Sequence, residues 1–509
     1  MNNFLLFFEF FSPLSVISVV KKSQRYPKIH RKIARMRYTC IGCVAVLLIL
    51  CSCFKPNYQR PCLDLPEHWR MPADEGSTLC NYRWWEQFED PVLNQLIILA
   101  LQNNQDLKVA ISRAIEYYAL VGITNAALWP QLTGNLNYNR SESSVSIPLS
   151  IPPGVPRIDN NYQASFNLSW ELDFWGRLLS ASEASYADLF AQVEARRAFV
   201  LSLVSSVAND YIILRSLDAQ LEISKNTLTS RLESLKLAED RFNLGETSQI
   251  EVRQAESEVE IAAIRVIEFE RAIPQQENLL SVLIGENPRH IERGLTIESF
   301  QRPLEIPAGL PSDLLTRRPD IMQAEDLLIA TNARITEARA LFFPQISLTS
   351  MYGSQSDQIK SFLTSPAEMW SYGLTAIQTI FDAGQIVYRV KVAEARREEA
   401  LHAYKQTILN AFREVEDSLI AYKKNLELVY EHRRQVRILK DYLKLATLRY
   451  NEGEIDYLNV LDAERSLFDA ELQLAQAHAD SFMAIVDLYG ALGGGWVVDA
   501  DDIALASEQ

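Results

Sequence analysis

From Tyr162 to Phe174 the chain alternates without a break. Tyr162, Ala164, Phe166, Leu168, Trp170, Leu172 and Phe174 are apolar, and Gln163, Ser165, Asn167, Ser169, Glu171 and Asp173 between them are polar. Period two over this length predicts a strand with one apolar and one wetted face. Shorter versions of the pattern occur at Leu132, Leu136 and Tyr138, at Ile346 and Leu348, and at Trp370, Tyr372, Leu374 and Ala376. Four strands are therefore expected, in two pairs. A soluble sandwich is the ordinary reading of such strands. Here the apolar faces carry several aromatics, and the second strand of each pair is long enough to cross a bilayer at a tilt. Segment 141–161, rich in Ser, Pro, Gly and Asn, predicts an exposed hairpin tip, and so does 353–368.

The pattern changes after each strand pair. Residues 177–244 contain no Gly and no Pro, and neither do residues 385–452, two stretches of 68 residues. A helix of that length runs about 100 Å, and apolar residues at spacings of three and four (Val200, Leu203, Val207, Tyr211, Leu214) give it a packing seam. Gly245 and Gly453 mark turns, after which helices return for roughly 35–40 residues. Pro274 is expected to kink or break the first of these. Shorter helices are predicted over about 91–129 and 312–343.

The two halves correspond. Gly176 and Gly384 differ by 208, as do Arg241 and Arg449, Gly245 and Gly453, Ala255-Glu256 and Ala463-Glu464, and Leu283 and Ala491. Upstream of the second strand of each pair the offset is 214: Asp106 matches Asp320 and Pro130 matches Pro344. Each repeat thus reads helix, strand, strand, long helix, turn, helix. Four strands cannot close a membrane barrel, since about eight is the smallest, and open edges are not tolerated in lipid. Copies must pool their strands, and three copies would give twelve.

Charge and cysteine usage narrow the picture. Residues 1–52 hold eight Lys/Arg and one acid, so against −15 overall the remainder carries −22, which argues against nucleic acid as a partner. Met36-Arg37-Tyr38 precedes an apolar run from Ile41 to Leu50, too short to span a bilayer but suited to a signal peptide. Leu50-Cys51-Ser52-Cys53 has the form of a lipobox, with Cys53 as the lipidated residue. It would carry diacylglycerol and an N-acyl chain, an anchor in a membrane. Translation from Met36 fits this segment better than an n-region of 35 residues. Cys62 and Cys80 fit a disulfide and two free thiols equally. The six histidines are scattered. No H-E-x-x-H, P-loop, G-x-S-x-G or strand-borne G-x-G-x-x-G is present, so no enzyme and no cofactor or metal is expected. Gly493-Gly494-Gly495 reads as a helix cap and loop.

Several segments carry a specific resemblance. They are Leu310-Pro311-Ser312-Asp313-Leu314-Leu315 with Arg317-Arg318-Pro319-Asp320-Ile321; Arg449-Tyr450, Gly453, Tyr457-Leu458 and Val460-Leu461-Asp462-Ala463; Ala491 to Trp496; and Trp84-Trp85 with Asp90-Pro91. Over residues 53–497 the chain resembles the TolC-like outer-membrane efflux family, in its lipoprotein branch serving resistance–nodulation–division pumps. The resemblance implies an α+β membrane protein, a homotrimer with a twelve-stranded outer-membrane β-barrel, four strands per subunit, continued by a long periplasmic α-helical barrel. It implies a passive, gated export duct working with a periplasmic adaptor and an inner-membrane pump. A type I protein secretion duct and a non-conducting periplasmic scaffold are the competing readings. The expected organisation is a targeting segment 1–52, an anchored tail 53–90, repeat one 91–290, an equatorial linker 291–311, repeat two 312–497 and a tail 498–509. By resemblance, Leu458 and Asp462 line the periplasmic gate, as an apolar ring beside a ring of carboxylates whose self-repulsion would favour opening. Their counterparts Ile250 and Gln254 lack the acid. A local pairing of Asp462 with Arg465 is the plain alternative. Arg241, Gly245, Arg449 and Gly453 resemble the tips that dock the adaptor, while simple turn formation accounts equally for the two glycines.

Overall fold

The computed structural model describes residues 58–62, 66, 68–70, 83–144, 157–300, 311–494 and 496–506. The targeting segment, Cys53 and Cys80 lie outside the described residues, and Cys62 is exposed. Four strands, β1 (Gln131–Glu142), β2 (Ile158–Leu172), β3 (Gln345–Ser356) and β4 (Glu368–Ile377), form one antiparallel sheet in chain order. β2 pairs with β3, so the sheet itself joins the two repeats. The apolar face is exposed in the single chain, with Leu136, Phe166, Trp370, Tyr372 and Leu374 all more than half accessible. Phe174, expected as the last strand residue, lies past the end of β2: its N–H donates to the Leu172 carbonyl. The chain then turns through Gly176 at φ 72°, and the Asp173 carboxylate accepts from Leu179 N–H at 2.8 Å.

The helices are α1 (Pro91–Asn103), α2 (Gln105–Ala126), α3 (Arg177–Asn243), α4 (Gln249–Leu283), α5 (Leu314–Arg317), α6 (Pro319–Ala340), α7 (Gln385–Asn451), α8 (Tyr457–Leu492) and α9 (Trp496–Ala506). The two long helices are 67 residues each. Three expectations need correction. The helix predicted over 91–129 is two helices, because Asn104 serves both neighbours. Its side chain accepts from Leu107 N–H at 2.9 Å to start α2 and donates to the Leu283 carbonyl at the end of α4. The helix predicted over 312–343 begins in pieces, since Pro319 forces Arg318 into extended backbone (φ −82°, ψ 122°) before α6 starts. Pro274 does not break α4, which runs continuously through it. Packing on α3 holds both sides: Ile273 is buried, and the Gln276 amide donates to the Asp210 carbonyl and carboxylate at 3.0 Å each.

α3 is flanked by α2 and α6 in its sheet-proximal half and by α4 and α8 beyond. α7 packs on α6 and α8. At mid-length Trp84, Trp85, Phe88, Phe482, Tyr489 and Trp496 gather into an aromatic core. Trp84 stacks on Tyr489 at 5.5 Å, and Trp496 meets Trp84 and Trp85 edge-on. Helix α9, expected only as a tail, is drawn into this core and closed by Arg196, which forks onto Asp501 at 2.7 and 2.8 Å. Asp90 caps α1 through Val92 N–H and also accepts from Tyr211 Oη and Leu295 N–H at 3.0 and 2.9 Å, fixing the 291–300 segment.

One carboxyl on α6 gives this region a pH dependence. Burial first, then the charges of Glu194 on α3 and neighbouring Glu325, push the Asp326 carboxyl up to about 6. Glu194 itself is paired with Arg197 at 2.5 Å, and Glu325 is paired with Arg60. A raised carboxyl favours the folded chain at low pH and loses that contribution as pH rises through its folded value. Asp326→Asn is expected to raise Tm by a few degrees at about pH 8 and to leave it unchanged at about pH 4. An equal shift at both would mean that the carboxyl stays ionised throughout.

Candidate functional site

The ends of α3 and α7 carry the same backbone device. Gly245 N–H donates to the Phe242 carbonyl and Glu246 N–H to the Arg241 carbonyl, both at 2.9 Å. In the second repeat Gly453 donates to Tyr450 and Glu454 to Arg449, at 3.0 and 2.9 Å. This paired pattern closes a helix through a left-handed residue, and the two glycines have φ of 81° and 76°. A Cβ built at either would touch nothing within 4 Å. Backbone conformation rather than space therefore accounts for glycine at both tips.

The arginines expected at the tips are engaged within the chain. The Arg241 guanidinium lies 4.8 Å from the centroid of the Tyr450 ring, and its Nη2 donates to Asn451 Oδ1 at 3.4 Å. Arg449, exposed, donates to Glu454 at 2.9 Å. Tyr450 Oη donates to Glu251 at 3.1 Å, so the two tips are tied across α3, α7 and α4. Beneath them sits a small core of Ala238, Val252, Ala255, Ala446, Tyr457, Val460, Leu461 and Ala463. Its alanines let four helices approach closely.

Leu458 and Asp462 stand on the opposite face of α8 from this core. Leu458 is 59% exposed and Asp462 is exposed beside it. Arg465 does not pair with Asp462, acting on it only through space, and turns instead to Glu258. Among the described residues no ion pair holds the Asp462 carboxylate. Ile250 on α4 is also exposed, at 69%, and Gln254 is half-buried.

One turn behind Asp462 lies a charge cluster that sequence reasoning missed. Arg231 on α3 and Glu258 on α4 are almost wholly buried and 3.1 Å apart, and Arg465 reaches Glu258 from α8. Arg231 also donates to the Glu258 carbonyl at 2.8 Å and lies over the Phe468 ring at 5.1 Å. Burial lowers the Arg231 pKa against the pull of Glu258, and burial raises that of Glu464 alongside, which accepts from Ser234. A signal existed: Glu258 interrupts the buried stripe Val252, Ala255, Ala262 and Val266, and Arg231 falls midway between buried Ser224 and Ala238 at seven-residue spacing. The cluster ties α3 and α4 to α8 close to the exposed Leu458–Asp462 face.

Comparison with known proteins identifies the architecture. A family model described as outer membrane efflux protein matches residues 96–286 and 310–494. The solvent efflux pump outer membrane protein SrpC of Pseudomonas putida is 35% identical over 474 residues, covering 91% of this chain and 99% of that protein. The cation efflux system protein CusC of Escherichia coli is 34% identical over 459 residues, covering 89% and 98%. The open state of the Neisseria gonorrhoeae MtrE outer membrane channel superposes with a TM-score of 0.79 at 30% identity, covering 87% of this chain and 98% of that one. A shared length, a shared repeat and a shared sheet-plus-long-helix fold leave one conclusion: the chain belongs to the outer membrane efflux protein family.

Proposed function

We propose that this outer-membrane efflux protein is the duct subunit of a tripartite system. Three copies enclose the passage, an adaptor docks at the helix tips, and an inner-membrane resistance–nodulation–division pump supplies the energy. The observation that carries the reading is the sheet: one face is apolar and exposed, and among the described residues neither β1 nor β4 has a partner on its outer edge. An edge of unpaired backbone cannot stand in lipid, so the sheet must be completed by other copies. Leu458 and Asp462 form the periplasmic gate in this reading, supported by their exposure opposite the tip core. Arg241 and Arg449 with the turns at Gly245 and Gly453 form the docking surface, and Cys53 carries the lipid anchor.

Cargo is left to the pump. SrpC is named for solvents and CusC for cations, yet the two are 35% and 34% identical to this chain. The reading is tested by reconstituting the purified protein in planar bilayers. Conductance is expected from a trimer and should increase in the Leu458→Ala, Asp462→Ala double variant; a trimer that never conducts in either form would sink the duct. Palmitate labelling of cells should be abolished by Cys53→Ser, and unchanged labelling would remove the anchor.

A further inference from the structure

The helices change charge below the sheet. A groove of about 800 Å³ runs between α6 and α7 at their sheet ends and is lined by Arg177, Arg334, Arg389 and Arg396, with Glu337 as its one acid. On α7 the lining residues Gln385, Arg389, Val392 and Arg396 follow at steps of three and four, so they form a single stripe of the helix. Two of the arginines are held: Arg177 pairs with Glu171 at 2.7 Å, and Arg334 pairs with Asp188. Arg389 and Arg396 are exposed, and among the described residues neither has a carboxylate partner. Burial raises the pKa of the Glu337 carboxyl against the pull of Arg177 and Arg334, so the one acid in the lining is the easier to neutralise. Lys391 lies 5.4 Å from the centroid of the Tyr388 ring and adds positive charge at the rim. Tyr388 and Val392, 64% and 50% exposed, and Leu341 give the groove an apolar surface beside the two free guanidiniums.

The side on which the groove opens follows from Arg177. Its partner Glu171 belongs to the polar set of β2, between Trp170 and Leu172 of the apolar set. Arg177 and the groove therefore lie on the polar-face side of the sheet, which is the inner side when the apolar face meets lipid. The other side of the same α6–α7 seam is lined by Leu328 and Ile335 together with Tyr58 to Cys62, the tail that leads back to Cys53. A tail that ends in a lipid anchor runs outside the duct, so the two landmarks agree. We infer that the groove is an anion-holding site on the inner wall, three to a trimer, for a carboxylate, sulfonate or phosphate group carried on an apolar body. This rests on the duct reading above and adds a site to it. An arginine fork meets an oxyanion with two hydrogen bonds, and the apolar surface takes the body. Screening limits the reach of wall charges to about 8–10 Å at physiological salt. The site therefore acts on a group that touches the wall and leaves ionic selectivity to the narrowest point. Cargo that has passed the tip meets these arginines roughly 80 Å further along α7.

The test uses the full-length protein in discs of zwitterionic lipid, with empty discs subtracted, and two probes of similar shape and opposite charge, naphthoate and naphthylmethylammonium. Titration calorimetry is expected to show saturable binding of naphthoate and none of the ammonium probe. Arg389→Gln with Arg396→Gln should weaken naphthoate binding about ten-fold or more, and Arg389→Lys with Arg396→Lys by only a few-fold. Both double variants change exposed side chains and should keep the wild-type assembly state and Tm. Naphthoate binding that is unchanged in the glutamine variant, or ammonium binding that matches it, overturns the site. In planar bilayers naphthoate should lower the current through the wild type and not through the glutamine variant. Binding with no effect on current would overturn the placement on the inner wall. A protein that never conducts, yet loses naphthoate in the glutamine variant, removes the duct and leaves the groove as an anion site.

Discussion

Glu258→Ala is expected to be among the most destabilising single substitutions in the helical half of the molecule. It leaves Arg231, 2% exposed, buried without its counter-charge, and it frees Arg465 from the seam. Breaking one side of a buried ion pair costs about 3–5 kcal/mol, far more than the pair contributes over an apolar replacement. The neighbouring pair Arg253–Glu256 supplies the control. It lies on the same helix at 2.6 Å but is 65% and 37% exposed, so Glu256→Ala should cost no more than about 1 kcal/mol. Replacing both buried partners, as Arg231→Met with Glu258→Leu, should recover most of the loss in a double-mutant cycle. The measurement is chemical denaturation together with hydrogen exchange in residues 231–260 and 457–468. Equal small effects for Glu256→Ala and Glu258→Ala would show that water reaches the cluster.

The architecture was legible in the sequence because its signals are uninterrupted. The two long helices end two residues before glycine reappears at Gly245 and Gly453, and the offsets of 214 and 208 read from the sequence carry the β1–β2 ladder onto the β3–β4 ladder. The misses have local causes. Asn104 is an acceptable helix residue, and only its side-chain bonds to Leu107 and Leu283 show it to be a cap. Pro274 reads as a kink or a break from propensity alone, which ignores the packing of α4 on α3 that carries the helix through it. Helix α9 is held by Trp496 and Asp501, whose partners Trp84 and Arg196 are hundreds of residues away. At the tips the glycines were visible, but Glu258 looked like one more solvated acid in a chain with 65 of them. Leu458 and Asp462 stood out through resemblance and through the failure of Ile250 and Gln254 to repeat the acid.

That failure shapes the second large effect. Three Asp462 carboxylates about 10 Å apart in water would repel by only about 0.4 kcal/mol per pair. This is too little to spring the tips on its own, so in the proposed gate the acid ring would set which ions pass and the Leu458 ring would restrict the opening. Asp462→Lys is therefore expected to reverse the ionic preference of the conducting trimer, from cations to anions, with a change of sign in the reversal potential across a salt gradient. Leu458→Ala should raise conductance several-fold with the sign preserved. Gln254→Lys, at the half-buried counterpart in the first repeat, should leave the sign unchanged. If Gln254→Lys reverses selectivity and Asp462→Lys does not, the constriction belongs to α4 rather than α8, and the assignment of the gate to the second repeat is wrong.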